Sequence, residues 1–226
     1  MPTATVAIVV AAGAGVRMGA EVPKALLPLA GRPMLAWSLD ALRASPRVGA
    51  VVVVAPAGLE GEIAAVAGPG ATVVPGGASR AASVREGLRA APADAAVVLV
   101  HDAARPLVSA ALVEAVLDGV EGADGAIAAA PAADTLKRAG EGLMIEGTVP
   151  RQGLWAAQTP QAFRALALRD AVEAAAADGS LDAATDCASM VEARGGRVRL
   201  VESRGPNLKV TTPADAALAE ALLSAG

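Results

Sequence analysis

Short apolar runs recur along the chain at Val6 to Val10, Val51 to Val54, Thr72 to Val74, Val97 to Val100 and Ala126 to Ala129. Longer segments of helical composition lie between them, predicted at Met34 to Ala44 after Pro33, Leu59 to Ala67, Arg80 to Ala91 behind Ser79, and Ser109 to Glu121. This alternation predicts parallel strands joined by crossover helices, and so a doubly wound α/β sheet. In such sheets ligands lie beyond the carboxyl ends of the strands, so the loops at 11 to 24, 76 to 83 and 101 to 106 are expected to share one site.

The rhythm stops between Pro131 and Pro160, where short pieces such as Asp134-Thr135-Leu136-Lys137-Arg138 and Thr148-Val149-Pro150-Arg151 predict a β-hairpin arm. Helical pattern resumes at Phe163 to Ala177 and Asp186 to Ala193, followed by a strand at Val198 to Val201. A last helix opens at Thr212-Pro213-Ala214-Asp215, with a cap, a proline in the first turn and an acid three residues on. No linker or repeat divides the chain. One domain is expected over residues 1–226, with the arm inserted at about 131–154.

Composition narrows the function classes. At 226 residues the chain is long enough to bury a core without disulfide or metal support. Its 54% hydrophobic content is largely alanine, and no apolar run reaches the ~20 residues of a membrane span. A net charge of −4 disfavours a nucleic-acid surface. Cys187 is the single cysteine and the N-terminus lacks a secretory pattern, so a cytoplasmic location is expected. With no tyrosine and one phenylalanine, a base pocket has to rely on backbone and small polar groups.

The first strand runs into Ala11-Ala12-Gly13-Ala14-Gly15-Val16-Arg17-Met18-Gly19, with Pro23-Lys24 close behind. Glycines let consecutive amides approach phosphate oxygens, and Arg17 and Lys24 add full charges, as a nucleoside triphosphate requires. The Walker string of Gly, four residues and Gly-Lys-Ser/Thr is absent, and Met18 stands where the dinucleotide fingerprint needs a third small residue. Chance accounts for small loops in a chain with 24 glycines, but not for the two cations. In His101-Asp102-Ala103-Ala104-Arg105-Pro106, Asp102 has two readings, a turn cap or a ligand for a metal or substrate hydroxyls. His101, the only histidine, is expected to be packed and structural. Gly76-Gly77-Ala78-Ser79-Arg80-Ala81-Ala82-Ser83 is a second glycine loop, read either as an ordinary cap at Ser79 or as a base or ribose contact.

Taken together and in order, these segments closely resemble the 2-C-methyl-D-erythritol 4-phosphate cytidylyltransferase family. The resemblance also rests on Asp134-Thr135 with Lys137, Arg151 with Gly153-Leu154-Trp155, Gln158-Thr159-Pro160-Gln161, Thr185-Asp186, and Asn207-Leu208-Lys209-Val210-Thr211. It implies a Rossmann-like nucleotidyltransferase fold, a mostly parallel twisted sheet flanked by helices with a protruding β-arm. The implied reaction transfers CMP from CTP to 2-C-methyl-D-erythritol 4-phosphate, with Mg²⁺ bridging phosphate oxygens and no side chain assigned as a direct metal ligand. By motif match, Arg17, Lys24 and Lys209 handle the phosphates and the transition state. Ala11, Ala12, Gly13, Ala14, Gly15, Gly77, Ala78, Ser83 and Asp102 belong to the nucleotide site, and Asp102 also faces substrate hydroxyls. Arg105, Thr135, Arg151, Thr159, Thr185 and Lys209 surround the sugar phosphate, and the arm is implied to reach a neighbouring subunit in a homodimer. Two departures stand out: Ala78 replaces a common aspartate, and Cys187 an acid that usually follows Thr185-Asp186. Ribitol 5-phosphate cytidylyltransferases share the glycine loop and the Thr-Pro-Gln string, and a catalytically silent nucleotide-binding regulator is the alternative outside enzymes.

Overall fold

The computed structural model describes residues 5–13 and 22–224. Seven strands form the main sheet: β1 (Thr5–Val10), β4 (Val48–Ala55), β5 (Ala71–Pro75), β6 (Val97–Asp102), β7 (Gly125–Pro131), β10 (Trp155–Arg164) and β11 (Val198–Glu202). Their spatial order is β11-β7-β10-β6-β1-β4-β5. All pair in parallel except β10, which runs antiparallel to both β6 and β7. Short strands β2 (Pro28–Leu29) and β3 (Arg32–Pro33) form a separate ribbon, as do β8 (Leu136–Ala139) and β9 (Ile145–Val149).

Side-chain alternation sends one set of strand residues to each face, and helices cover both. Ala7, Val9, Val51, Val53 and Leu99 pack with α1 (Met34–Arg43), α2 (Glu60–Ala67) and α4 (Ala110–Gly119). Ile8, Val52, Val54, Val98 and Val100 face α3 (Arg80–Ala90), α5 (Ala165–Asp178) and α6 (Cys187–Ala193). The final helix α7 (Pro213–Ser224) packs through Ala219 onto Leu29, Met34 and Val210.

Three sequence expectations need correction. His101 and Asp102 do not follow the fourth strand but end it, paired with Val9 and Val10 of β1. Phe163 does not start a helix; it lies fully buried near the end of β10, and the helix begins at Ala165. The whole of β10 was absent from the predicted strands. Pro160 lies in its middle, where the ladder to β7 breaks register between Ala157 and Gln161, the setting in which a strand tolerates proline. The hairpin of β8 and β9 occupies the region predicted to form an arm.

Candidate active site

Backbone hydrogen bonds gather the predicted loops at one edge of the sheet. Ala11 donates to Val54 O, Ala103 to Val10 O and Gly76 to Ala55 O, at 2.9, 3.1 and 2.8 Å. A cavity of about 490 Å³ opens there, walled by Ala11–Gly13, Gly77, Ala78, Ser83, Lys24, Asp102 and Lys209. Lys24 enters on a 3-10 turn, Lys24–Leu26, behind Pro23. Ala14, Gly15 and Arg17 lie outside the described residues.

Close packing explains the double glycine. A Cβ on Gly76 would collide with the Ala12 side chain, and one on Gly77 would sit 2.5 Å from Ala82 Cβ. Ser79 caps α3, its hydroxyl accepting from the Ala82 amide at 3.1 Å. The Ser83 hydroxyl accepts from the Gly77 N–H at 3.2 Å and donates to Ser79 O at 2.8 Å. Its proton is thereby spent inside the loop, and what it offers the cavity is a lone pair.

A second cavity, of about 560 Å³, adjoins the first and is lined by Arg105, Thr159, Thr185 and the segment Gly153–Trp155. Arg80, Asp102 and Lys209 line both. Arg80 Nε and Nη2 each reach Asp102 Oδ1 at 2.9 Å, while Lys209 Nζ donates to Oδ2 at 2.7 Å. Burial alone would raise the Asp102 carboxyl, but the two cations outweigh it and hold the group well below the usual carboxylate range. Burial likewise works against the Arg80 charge, yet its contacts with Cys187 and Asp102 raise its pKa overall. The Cys187 thiol, 3.8 Å from Arg80 Nη1, is pushed up to about 11 by burial and is neutral at pH 7, so Asp102 supplies the charge that matters.

Behind this wall runs a buried polar chain. Asp102 N–H donates to Thr159 Oγ1 at 3.0 Å, and Thr159 Oγ1 lies 3.1 Å from His101 Nδ1. His101 Nε2 is 3.3 Å from Arg105 O, which can only accept, so the network assigns the ring proton to Nε2 and leaves Nδ1 to take the Thr159 hydroxyl proton. Burial lowers the His101 pKa to about 4, keeping the ring neutral. Arg105 Nη1 donates to Asn207 O at 2.6 Å, and Asn207 Nδ2 donates to Gln158 Oε1 and Thr159 O, both at 2.9 Å. Asn207 thus ties the loop carrying Lys209 to β10.

The structure brings together most of the residues singled out in the sequence, with changed duties for some. His101 is structural, as expected. The Thr159 hydroxyl, read as a substrate contact, is turned into the protein. Both Asp102 oxygens already hold cations. Thr135 and Arg151 lie exposed on or beside the hairpin and line neither cavity; Arg151 donates to Ala133 O. Arg80, Gln161 and Asn207 were underread. Gln161 donates to Asp186 Oδ2 at 2.9 Å and accepts from the Cys187 amide at 3.2 Å, so it sets the start of α6 beside Thr185. A signal for Arg80 was present: a cation in the first turn of a helix opposes the helix dipole, so its place there has another cause.

These features match a known pattern along nearly the whole chain. The model of the 2-C-methyl-D-erythritol 4-phosphate cytidylyltransferase family (IspD) matches residues 5–225. The chain belongs to that family. The cytidylyltransferase of Xylella fastidiosa strain 9a5c is 48% identical over 220 residues, covering 92% of each chain. That of Frankia casuarinae is 47% identical over 219 residues, 96% of this chain and 80% of the relative. Among solved structures, the family member from Thermus thermophilus is 38% identical with a TM-score of 0.82, over 96% of this chain and 98% of that one. The 4-diphosphocytidyl-2C-methyl-D-erythritol synthase of Anaerococcus prevotii is 26% identical with a TM-score of 0.86, over 99% and 100%. Within the described residues, neither Ala78 nor Cys187 takes the place of a cation lining the cavities: Ala78 lies in the first cavity's wall, and Cys187 is fully buried behind Arg80.

Proposed function

We propose that this chain transfers the cytidylyl group of CTP to 2-C-methyl-D-erythritol 4-phosphate, a step of isoprenoid precursor synthesis. The observation that carries the reading is the pair of cavities sharing a wall of Arg80, Asp102 and Lys209. The nucleotide occupies the first cavity and the sugar phosphate the second. A phosphate oxygen of the sugar attacks the α-phosphorus, a new P–O–P bond forms, and the bond to the β-phosphate oxygen breaks to release pyrophosphate. Two anions must meet in line, so positioning and fixed positive charge do the chemistry rather than acid–base groups. Lys24 and Lys209 both line the first cavity and supply that charge, with Arg17 as the third cation of the motif.

Base choice follows from Ser83. A hydroxyl that has already donated to Ser79 O receives a donor, such as the amino group of cytosine, better than the carbonyl of uracil. Ala78 removes one side chain from this wall and leaves recognition to backbone and Ser83. In the second cavity, Arg105 offers its guanidinium to the sugar phosphate and Thr185 its hydroxyl. Mg²⁺ would be held here by triphosphate oxygens and water, since Asp102, the one carboxylate that lines the first cavity among the described residues, has both oxygens on Arg80 and Lys209. Bound there, it would neutralise charge on the triphosphate.

The arm completes the assembly. Leu143, Met144 and Ile145 are 87%, 72% and 66% exposed at its tip, an apolar surface that suits a second copy of the chain. We place Thr135 and Arg151 in the partner's second cavity of a homodimer, because among the described residues neither lines either of these two cavities in its own chain. No helix among the described residues is long and apolar enough to cross a membrane, and one buried cysteine suits a cytoplasmic enzyme. The test is pyrophosphate release with CTP, UTP, ATP or GTP against either 2-C-methyl-D-erythritol 4-phosphate or ribitol 5-phosphate. Turnover is expected with CTP and the branched tetritol phosphate; preference for ribitol phosphate would refute the assignment.

A further inference from the structure

Asp102 poses an electrostatic problem. Its carboxylate stands at the junction where two polyanions are to meet, and it lies 2.7 Å from Lys209, whose ammonium faces both cavities. Paired with Lys209 alone, it would cancel that cation and leave the junction neutral. Arg80 alters the sum. Its Nε and Nη2 both take Oδ1 while Lys209 takes Oδ2, so one carboxylate is shared between two cations and one positive charge is left over. Helix formation gives no reason for Arg80, since the first turn of α3 is capped by Ser79 and the dipole there disfavours a cation. The remaining nitrogen of its guanidinium, Nη1, lies against the neutral thiol of Cys187.

We infer that Arg80 is a charge-balancing residue of the transfer site: it neutralises Asp102 so that the ammonium of Lys209 stays available to phosphates entering from both cavities. The role rests on the two-substrate reading above, but its test does not depend on turnover. Four full-length proteins decide it: wild type, Arg80→Met, Asp102→Asn and the double variant. Of the three charges at the junction, wild type keeps a sum of +1, Arg80→Met 0, Asp102→Asn +2 and the double variant +1.

Calorimetric binding of pyrophosphate is the first readout. Arg80→Met is expected to weaken binding on the order of tenfold at low salt, with the gap to wild type narrowing as salt rises. Adding Asp102→Asn to Arg80→Met is expected to restore most of the affinity, and with it the KM values for the phosphate substrates. Asp102→Asn also relieves a buried carboxylate that Arg80→Met leaves with one partner fewer, so binding is compared below the melting temperature of all four proteins. There, a residue that merely supported the fold would leave the affinity and its salt dependence unchanged. A double variant that binds as weakly as Arg80→Met, or more weakly, overturns the inference. Should Arg80→Met melt below assay temperature, Arg80→Lys and Arg80→Gln replace it: near-normal pyrophosphate binding by Lys and weak binding by Gln supports the role, and equal losses overturn it. Normal pyrophosphate binding by wild type without turnover of either sugar phosphate would sink the two-substrate reading while leaving the charge balance testable by the same four proteins.

Discussion

At the scale of single residues, the site separates groups that face the cavities from groups that hold them. Lys24 belongs to the first kind. It lines the cavity from a short 3-10 turn, and its neighbour Ala25 supplies the turn's buried anchor. Lys24→Ala is expected to lower kcat by about 100-fold or more, the cost of removing one electrostatic group aimed at developing charge, with the melting temperature nearly unchanged. A near-normal kcat would remove Lys24 from the chemistry. His101 belongs to the second kind. Burial lowers its pKa from 6.5 to about 4, so between those values the unfolded chain binds a proton that the folded protein refuses. Stability from this group is therefore fully present above pH 6.5 and is lost as pH falls towards 4, by about 3 kcal/mol over the window. Asp102 acts in a lower range, since its carboxyl is held below the ordinary value and its contribution is lost only as pH falls further. Denaturation midpoints at about pH 7.5 and about pH 4.5, on either side of most of that window, check the assignment: His101→Gln should lose much less stability on acidification than wild type does. An equal loss in both proteins would place the titrating group elsewhere.

At the scale of elements, the chain was legible where burial on both faces demands unbroken apolar runs. The strands β1, β4, β6 and β7 announce themselves as such, the edge strand β5 shows only a short β-branched run, and each differs from its predicted bounds by a few residues at most. The loops at their carboxyl ends then converge because a doubly wound sheet places them on one edge. The strand β10 was not legible. Its middle, Gln158-Thr159-Pro160-Gln161, is polar and proline-bearing; Thr159 and Gln161 are buried and Gln158 half-buried, bonded to Asp102, His101, Asp186 and Asn207 from other elements. Long-range partners of this kind leave no periodic trace. Arg80 was visible as a residue but not as a partner of Asp102, since 22 positions separate them along the chain. The hairpin of β8 and β9 was read from the failure of helical periodicity, and its apolar tip makes an element-level prediction. Serine at Leu143, Met144 and Ile145 together removes exposed rather than buried surface, so the fold should persist while self-association weakens. Sedimentation velocity at micromolar concentration should show a dimer for the wild type and a monomer for the triple variant. A dimer of unchanged strength would mean that another face joins the subunits.

At the scale of the whole molecule, the decisive question is whether one copy contains a complete site. Lys209 sits at the junction of the two cavities, whereas Arg151 hangs beside the arm and lines neither cavity of its own chain. If Arg151 serves the partner, each active site draws Lys209 from one copy and Arg151 from the other. Arg151→Ala is then expected to raise KM for the sugar phosphate more than KM for CTP, because in that arrangement Arg151 serves the partner's second cavity. Lys209→Ala should impair both substrates, because that side chain faces both cavities. The two variants also complement each other. A mixed dimer of one Arg151→Ala copy and one Lys209→Ala copy has one site lacking both groups and one site intact. Random re-pairing of equal amounts makes half of the dimers mixed, so activity should recover to about a quarter of the wild-type value per chain. The measurement is pyrophosphate release after co-expression of differently tagged variants, with tandem purification isolating the mixed dimer, where recovery should reach about half. Activity no higher than that of either variant alone would show that Arg151 acts within its own chain. The arm would then have to fold back over the second cavity, past Gly153, Leu154 and Trp155, which already form part of that wall.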